Sequence, residues 1–215
     1  MMKKSNLLLV LFSLLIFLAS CNQDQNKYVT ISTEFGDMTV MLYNSTPKHR
    51  DNFLSLVEQG YYDSLLFHRV IPGFMIQGGD PDSKNAKPLQ RLGMGGPGYR
   101  IDAEIGAPHF KGVLAAATDG NPQKASAGSQ FYLVHGRAVD DAMLDQVEQQ
   151  KGIEYSPEQR ALYKEIGGYP PLDNDYTVFG EVVEGLQVID QIVMVDKDYN
   201  NRPVKNIRMT IKMGK

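Results

Sequence analysis

Cysteine occurs once in this chain, at Cys21, and tryptophan does not occur at all. A lone thiol has no internal partner, so no disulfide framework holds the fold. Histidine is scarce as well. His49, His68, His109 and His135 lack the close spacing of metal ligands, and nothing in the sequence argues for a metal. Positive charge is not in excess: 22 Lys and Arg stand against 25 Asp and Glu, a net charge of −3. That balance argues against a nucleic-acid binder, which would show a basic face. The apolar run from Leu7 to Leu18 is shorter than the ~20 residues of a bilayer-spanning helix. The signature of disorder is missing too, since 42% hydrophobic and 22% charged residues are near globular norms. A length of 215 residues is ample for one packed core.

Familiar catalytic patterns are incomplete. The glycine-rich "GMGGPG" at 93–98 lacks the Gly-Lys-Ser/Thr ending of a phosphate loop. "DPDSKN", from Asp80, fails as a calcium loop at Lys84, Asn85 and Arg91 and reads as a solvated turn. "AGSQF", around Ser129, is not a nucleophile elbow.

What is present begins with a leader. Lys3 and Lys4 precede the apolar run, and small residues follow at Ala19 and Ser20, the layout of a signal peptide over residues 1–20. "LASC" then resembles the bacterial lipobox, in which the cysteine is lipidated and becomes the first residue of the mature chain. Lipid on Cys21 would anchor the protein to a membrane without a spanning helix. Residues 21–27 read as a short lipidated tether, and the expected location is the bacterial cell envelope, lipid-anchored and facing the periplasm.

From Tyr28 the pattern is β. Period-two alternation on both sides of Gly36 predicts a hairpin. Thr46 as N-cap, Pro47 at the first position and Gly60 at the end predict a helix that buries Phe53, Leu56 and Val57. Residues 78–98 are loop-like, with strands expected at 112–117, 129–136, 176–183 and 206–213, and a helix around 185–195. Residues 140–168 change character and predict two helices. Asp140 caps the first, with Met143, Leu144 and Val147 apolar. "SPEQ" at 156–159 is a capping box for the second, with Leu162, Tyr163 and Ile166 facing inward and Gly167 closing it.

The stretch that carries the function is "FHRVIPGFMIQGGDP", residues 67–81. It resembles the core motif of the cyclophilin family of peptidyl-prolyl cis-trans isomerases. The resemblance continues through "GGPGY", "GVLAAA", "AGSQFYLV" and "LDNDYTVFGEVVEG", covering about residues 28–137 and 169–213. It implies a mainly β fold over residues 28–215: an eight-stranded antiparallel β-barrel capped by two helices. Residues 138–168 would then form a two-helix insertion that adds a rim to the groove, tunes client choice and supplies no catalytic group.

The implied chemistry explains the residue types. Rotation about an Xaa-Pro bond breaks no covalent bond; its barrier is amide resonance, ~18–20 kcal/mol. In the twisted state the proline nitrogen regains its lone pair. A hydrogen-bond donor aimed there stabilises the transition state selectively. No cofactor is needed. Carried over by position, Arg69 is the catalytic donor and Gln77 orients it and the substrate backbone. Phe74, Met75, Tyr132 and Leu172 form the proline pocket, with Tyr132 as its floor in place of the family's usual Phe. Gln130, Tyr176 and the backbone of Ala117 and Thr118 meet the peptide, with His68 a supporting hydrogen-bonder. The expected partners are proline-containing segments of exported client proteins, whose folding the enzyme would assist. Pro171 stands where some relatives have Trp, which bears on cyclosporin affinity more than on catalysis. The competing reading is a non-catalytic proline-peptide binder or holdase; retention of Arg69 and Gln77 favours the enzyme.

Overall fold

The computed structural model describes residues 26–214, so the leader and Cys21 lie outside the described residues. The alternation after Tyr28 gives β1 (Lys27–Thr33) and β2 (Gly36–Leu42), paired from Lys27↔Leu42 to Thr33↔Gly36. Val29, Ile31, Met38, Val40 and Leu42 all point to one side and are fully buried there. Opposite directions for successive side chains are what turn an alternating sequence into a one-sided core.

α1 (Pro47–Glu58) buries Phe53, Leu56 and Val57 as expected. Its cap is not the expected one. Thr46 sits at the N-cap position, but its hydroxyl donates to the Tyr43 carbonyl and makes no cap bond. Glu104 takes over from across the fold: its carboxylate accepts from the backbone N–H groups of Lys48 and His49 at 3.1 and 3.0 Å. A negative group at a helix N-terminus also suits the helix dipole.

The remaining strands of the main sheet are β3 (Arg69–Ile71), β4 (Met75–Gly78), β6 (Val113–Ala116), β8 (Phe131–Val134), β9 (Val178–Glu184) and β10 (Thr210–Met213). All pairings are antiparallel, in the order β10-β1-β2-β9-β6-β8-β4-β3. The sheet curls until the segments that precede its two edge strands meet. Ser64 and Phe67 donate to the carbonyls of Met209 and Ile207, and Met209 donates back to Leu65. Residues 206–209, expected as strand, serve as this seam. A small second sheet pairs β5 (Arg100–Ile101) with β7 (Ser126–Ala127). The fold is therefore mainly β, an eight-stranded antiparallel sheet curled around one core.

Two helices cover that core. α1 packs Phe53 edge-on against Phe131 and Phe179, with ring centroids 5.5 and 5.4 Å apart. The last helix is shorter than 185–195: α4 (Gln187–Ile192) adds Val188, Ile189 and Ile192.

The insertion holds α2 (Asp141–Lys151) and α3 (Pro157–Ile166). Asp140 accepts from the Met143 N–H, and Ser156 and Gln159 form the reciprocal capping box. Its neck is a backbone pair in which Arg137 and Gly168 each donate to the other's carbonyl at 3.0 Å. Glycine is required there. Gly136 has φ +67°, and a Cβ on it would lie 2.6 Å from the Gly168 Cα. Leu144, Val147, Tyr155 and Tyr163 form a small core. Leu162 and Ile166 do not join it; they are exposed, because α3 meets its neighbours along the narrow stripe centred on Tyr163.

Candidate active site

All four residues of β8 are buried, because both faces of that strand are covered. Phe131 and Leu133 enter the barrel core with Ile76, Leu114 and Phe179. On the outer face, Met75, Val113, Ala115, Tyr132, Val134 and Val178 form a second apolar cluster, with Phe74, Leu172 and Tyr176 packed against it. The site opens on this outer cluster.

The β3–β4 hairpin sets Arg69 directly opposite Gln77. The Arg69 guanidinium donates to the Gln77 side-chain oxygen at 3.3 Å. Gln77 donates onward to Gln130 at 3.0 Å, and Gln130 to the Gly95 carbonyl at 2.8 Å. The guanidinium carbon also lies 5.7 Å from the centroid of the Phe74 ring, a cation–π geometry. Arg69 is half-buried. Burial lowers its pKa and the nearby Tyr176 opposes the shift; a guanidinium still keeps its charge at neutral pH.

Next to it is a cavity of about 90 Å³, lined by Arg69, Phe74, Met75, Gln77, Ala117, Thr118, Tyr132, Leu172 and Tyr176. Nine of the residues expected from sequence therefore converge on one small chamber that sets the apolar side chains of Phe74, Met75 and Leu172 beside one fixed cation. An open cleft of about 830 Å³ adjoins it, shares Gln77, Ala117 and Thr118 with it, and contains Gln130. Arg100 and Asp119 face each other there in a two-pronged ion pair at 2.8 and 2.5 Å. That pair holds the exposed Asp119 carboxyl well below its usual range.

Three expectations need correction. His68 does not meet the groove. It is 4% exposed, and its Nε2 would lie 3.5 Å from a Cβ on Gly93. Neither ring nitrogen makes a hydrogen bond among the described residues. Burial pushes its pKa down to about 4 against the pull of the Asp80 carboxylate. Strand alternation explains the placement: with Arg69 turned outward, the residue before it turns away. Ala117 and Thr118 lie just beyond the end of β6, and the Ala117 backbone is already engaged. Its N–H donates to Gln130 and its carbonyl accepts from Ala127. The Thr118 N–H and carbonyl have no partner among the described residues, so Thr118 supplies the free backbone groups. A third revision concerns Asp80. It is fully buried, not part of a solvated turn, and accepts from the N–H groups of Asp82 and Gly93.

Other residues at the site carried no local signal. Tyr169 packs its ring against Phe74 at a tilt of 36°, with centroids 4.5 Å apart. His109 and Asp173 lie behind Tyr132 and are fully buried or nearly so. Among the described residues there is no group of three or more His, Cys, Asp or Glu that could hold a metal.

A family model described as "Cyclophilin type peptidyl-prolyl cis-trans isomerase/CLD" matches residues 28–213. A Streptococcus pyogenes protein, by name a bifunctional phosphatase/peptidyl-prolyl cis-trans isomerase, is 37% identical over 187 residues. The match covers 83% of this chain and 37% of that longer protein. A Staphylococcus haemolyticus protein, by name a peptidyl-prolyl cis-trans isomerase, is 34% identical over 189 residues, 86% of this chain and 89% of that one. Among solved structures, a Cryptosporidium parvum cyclophilin-type isomerase superposes with a TM-score of 0.64 at 25% identity, over 88% of this chain and 98% of that one. A second structure of that isomerase, in the presence of the dipeptide Ala-Pro, superposes with a TM-score of 0.62 at 25% identity, over 87% and 99% of the two chains.

Proposed function

The chain belongs to the cyclophilin-type peptidyl-prolyl cis-trans isomerase family, and from that premise we propose how its groove turns the Xaa-Pro bond and where the protein works. Isomerase activity on proline-containing peptides is the family's property. The assignment of steps to residues is our reading. The proline ring enters the 90 Å³ cavity and rests on Met75, Phe74, Tyr132 and Leu172. The peptide backbone pairs with the free N–H and carbonyl of Thr118. Arg69 then reaches the proline nitrogen as the amide twists and its lone pair reappears. The planar ground-state nitrogen is a poor acceptor, so this bond strengthens in the transition state only.

One observation carries this reading: the guanidinium is fixed at the edge of the cavity by Gln77 and by the Phe74 ring. The planar fork keeps its direction while the bond rotates, which an ammonium on a flexible stem could not do as well. A protease-coupled assay on an Xaa-Pro tetrapeptide tests it. Catalysed turnover is expected; peptide binding without turnover would mark a binder or holdase instead.

We also propose that the protein works at the cell envelope on exported clients, held to a membrane by lipid on Cys21. The support is in the sequence: the leader layout and "LASC". No helix among the described residues is long and apolar enough to cross a membrane. The seven residues from Cys21 to Lys27 span at most roughly 25 Å when extended, which would hold the barrel close to the bilayer. Metabolic labelling with a fatty acid, compared with Cys21→Ser, checks this. Label lost and protein released from the membrane fraction is the expected outcome; unchanged partitioning of Cys21→Ser would refute it.

A further inference from the structure

A hydrogen-bond chain runs from the floor of the cavity into the insertion. The Tyr132 hydroxyl lies 2.9 Å from His109 Nε2, and His109 Nδ1 lies 2.7 Å from Asp173 Oδ1. The same Oδ1 accepts from the His109 backbone N–H at 2.7 Å. The other oxygen, Oδ2, accepts from the hydroxyls of Tyr155 at 2.7 Å and Tyr163 at 2.6 Å. None of these five residues is more than 6% exposed. Tyr155 precedes α3 and Tyr163 lies within it, so the chain ends on the insertion.

We propose that His109 and Asp173 are positioning residues of the proline pocket, and that the insertion completes them through Tyr155 and Tyr163. The proposal rests on the isomerase reading of the same cavity. Direction along the chain follows from donor chemistry. A carboxylate only accepts, so His109 Nδ1 donates to Asp173, and the Tyr132 hydroxyl lies against the other ring nitrogen, Nε2. The Tyr132 hydroxyl is therefore turned back into the protein, and its ring, not its polar tip, faces the proline.

The carboxylate also fixes a second wall. Asp173 directly follows Leu172, which lines the cavity, so one anchored side chain sets both the floor and that wall. A buried carboxylate is retained only when its lone pairs are satisfied, and half of its donors here come from the insertion. No residue of 138–168 lines either the cavity or the cleft. The insertion is therefore a buttress behind the pocket, not a rim on the groove. Its loss affects even the smallest substrate.

The test deletes only the two phenolic hydroxyls. Tyr155→Phe combined with Tyr163→Phe keeps both rings and the small core. On a minimal Xaa-Pro tetrapeptide, KM is expected to rise roughly three- to tenfold with kcat within about twofold, because the proline seat is disturbed while Arg69 is not. In a Tyr132→Phe background the same pair of substitutions is expected to raise KM by a clearly smaller factor, since the path to the floor is already cut and only the Leu172 wall is left to disturb. Lys164→Ala, which removes a surface pair with Asp141 on the same insertion, is expected to leave KM unchanged. If the double variant does not fold, Tyr155→Phe alone makes the same test at smaller amplitude. An unmoved KM in a folded variant, even with a lower melting temperature, overturns the proposal. So does an equal rise in both backgrounds. Wild-type turnover in the same assay separates the two failures: an inactive wild type refutes the isomerase reading, and peptide affinity by NMR titration then stands in for KM.

Discussion

Inside the barrel, β4 and β8 present Ile76, Phe131 and Leu133 to the core that Phe53 of α1 enters. Outside, the same strands present Met75, Gln77, Tyr132 and Val134 to the groove and the segments around it. The inner face is held mainly by packing, and the Phe131 ring meets Phe53, Tyr62 and Phe67 edge-on. The outer face adds directed bonds: an amide relay through Gln77 and Gln130, and a phenol tied to a buried imidazole. Packing tolerates any apolar shape that fills the space, whereas a relay demands particular donors and acceptors. Inner-face substitutions should therefore change stability, and outer-face substitutions should change turnover.

The largest effect expected from this division is structural. Phe131→Ala removes the ring that meets Phe53, Tyr62 and Phe67, and denaturant unfolding should show a loss of roughly 3–5 kcal/mol. A smaller loss with a large drop in turnover of the folded protein would blur the two faces.

His68 sharpens the comparison by its position next to Arg69. Its folded-state pKa is lowered from 6.5 to about 4. The unfolded chain therefore binds the extra proton in that window. Stability is full above pH 6.5, falls as the pH drops towards 4, and loses no more from this group below 4, about 3 kcal/mol in total. His68→Gln should remove most of that slope in pH-dependent unfolding and leave turnover near wild type. The remaining slope should come from His49 and His135, which burial also holds below 6.5. A collapse of turnover in folded His68→Gln would place His68 in the catalytic machinery after all.

Gln77→Ala should lower kcat/KM roughly tenfold, about 1.4 kcal/mol, by freeing both Arg69 and Gln130. Its unfolding midpoint should barely move, since Gln77 is only partly buried. The smallest effect belongs to the cleft. Arg100→Ala breaks an exposed ion pair, and such pairs contribute little. Tetrapeptide turnover should change by less than roughly threefold, with any larger change confined to longer peptides that reach the cleft.

What the sequence disclosed follows the range of each interaction. The hairpin of β1 and β2, the caps at Asp140 and Ser156 and the stop at Gly167 depend on neighbours within a few residues, and all stand where their patterns placed them. The pairing of Arg69 with Gln77 came from the resemblance that the motif at 67–81 carries, and the β3–β4 hairpin sets the two opposite each other. Long-range partners were not legible. Nothing near Thr46 announces that Glu104 caps α1, and nothing near Tyr132 announces His109, Asp173 or the insertion's tyrosines. His68 was misplaced because motif membership was read as exposure, when alternation turns successive residues to opposite sides. Leu162 and Ile166 show the converse, helical spacing without a surface to pack on.

The central claim is that the outer face catalyses through one guanidinium whose removal leaves the fold intact. Arg69→Ala, assayed on an Xaa-Pro tetrapeptide alongside its denaturant unfolding curve, tests it most directly. The account predicts a fall in kcat/KM of roughly a hundredfold or more, with the unfolding midpoint close to that of the wild type. Near-wild-type turnover in a folded Arg69→Ala protein would contradict it.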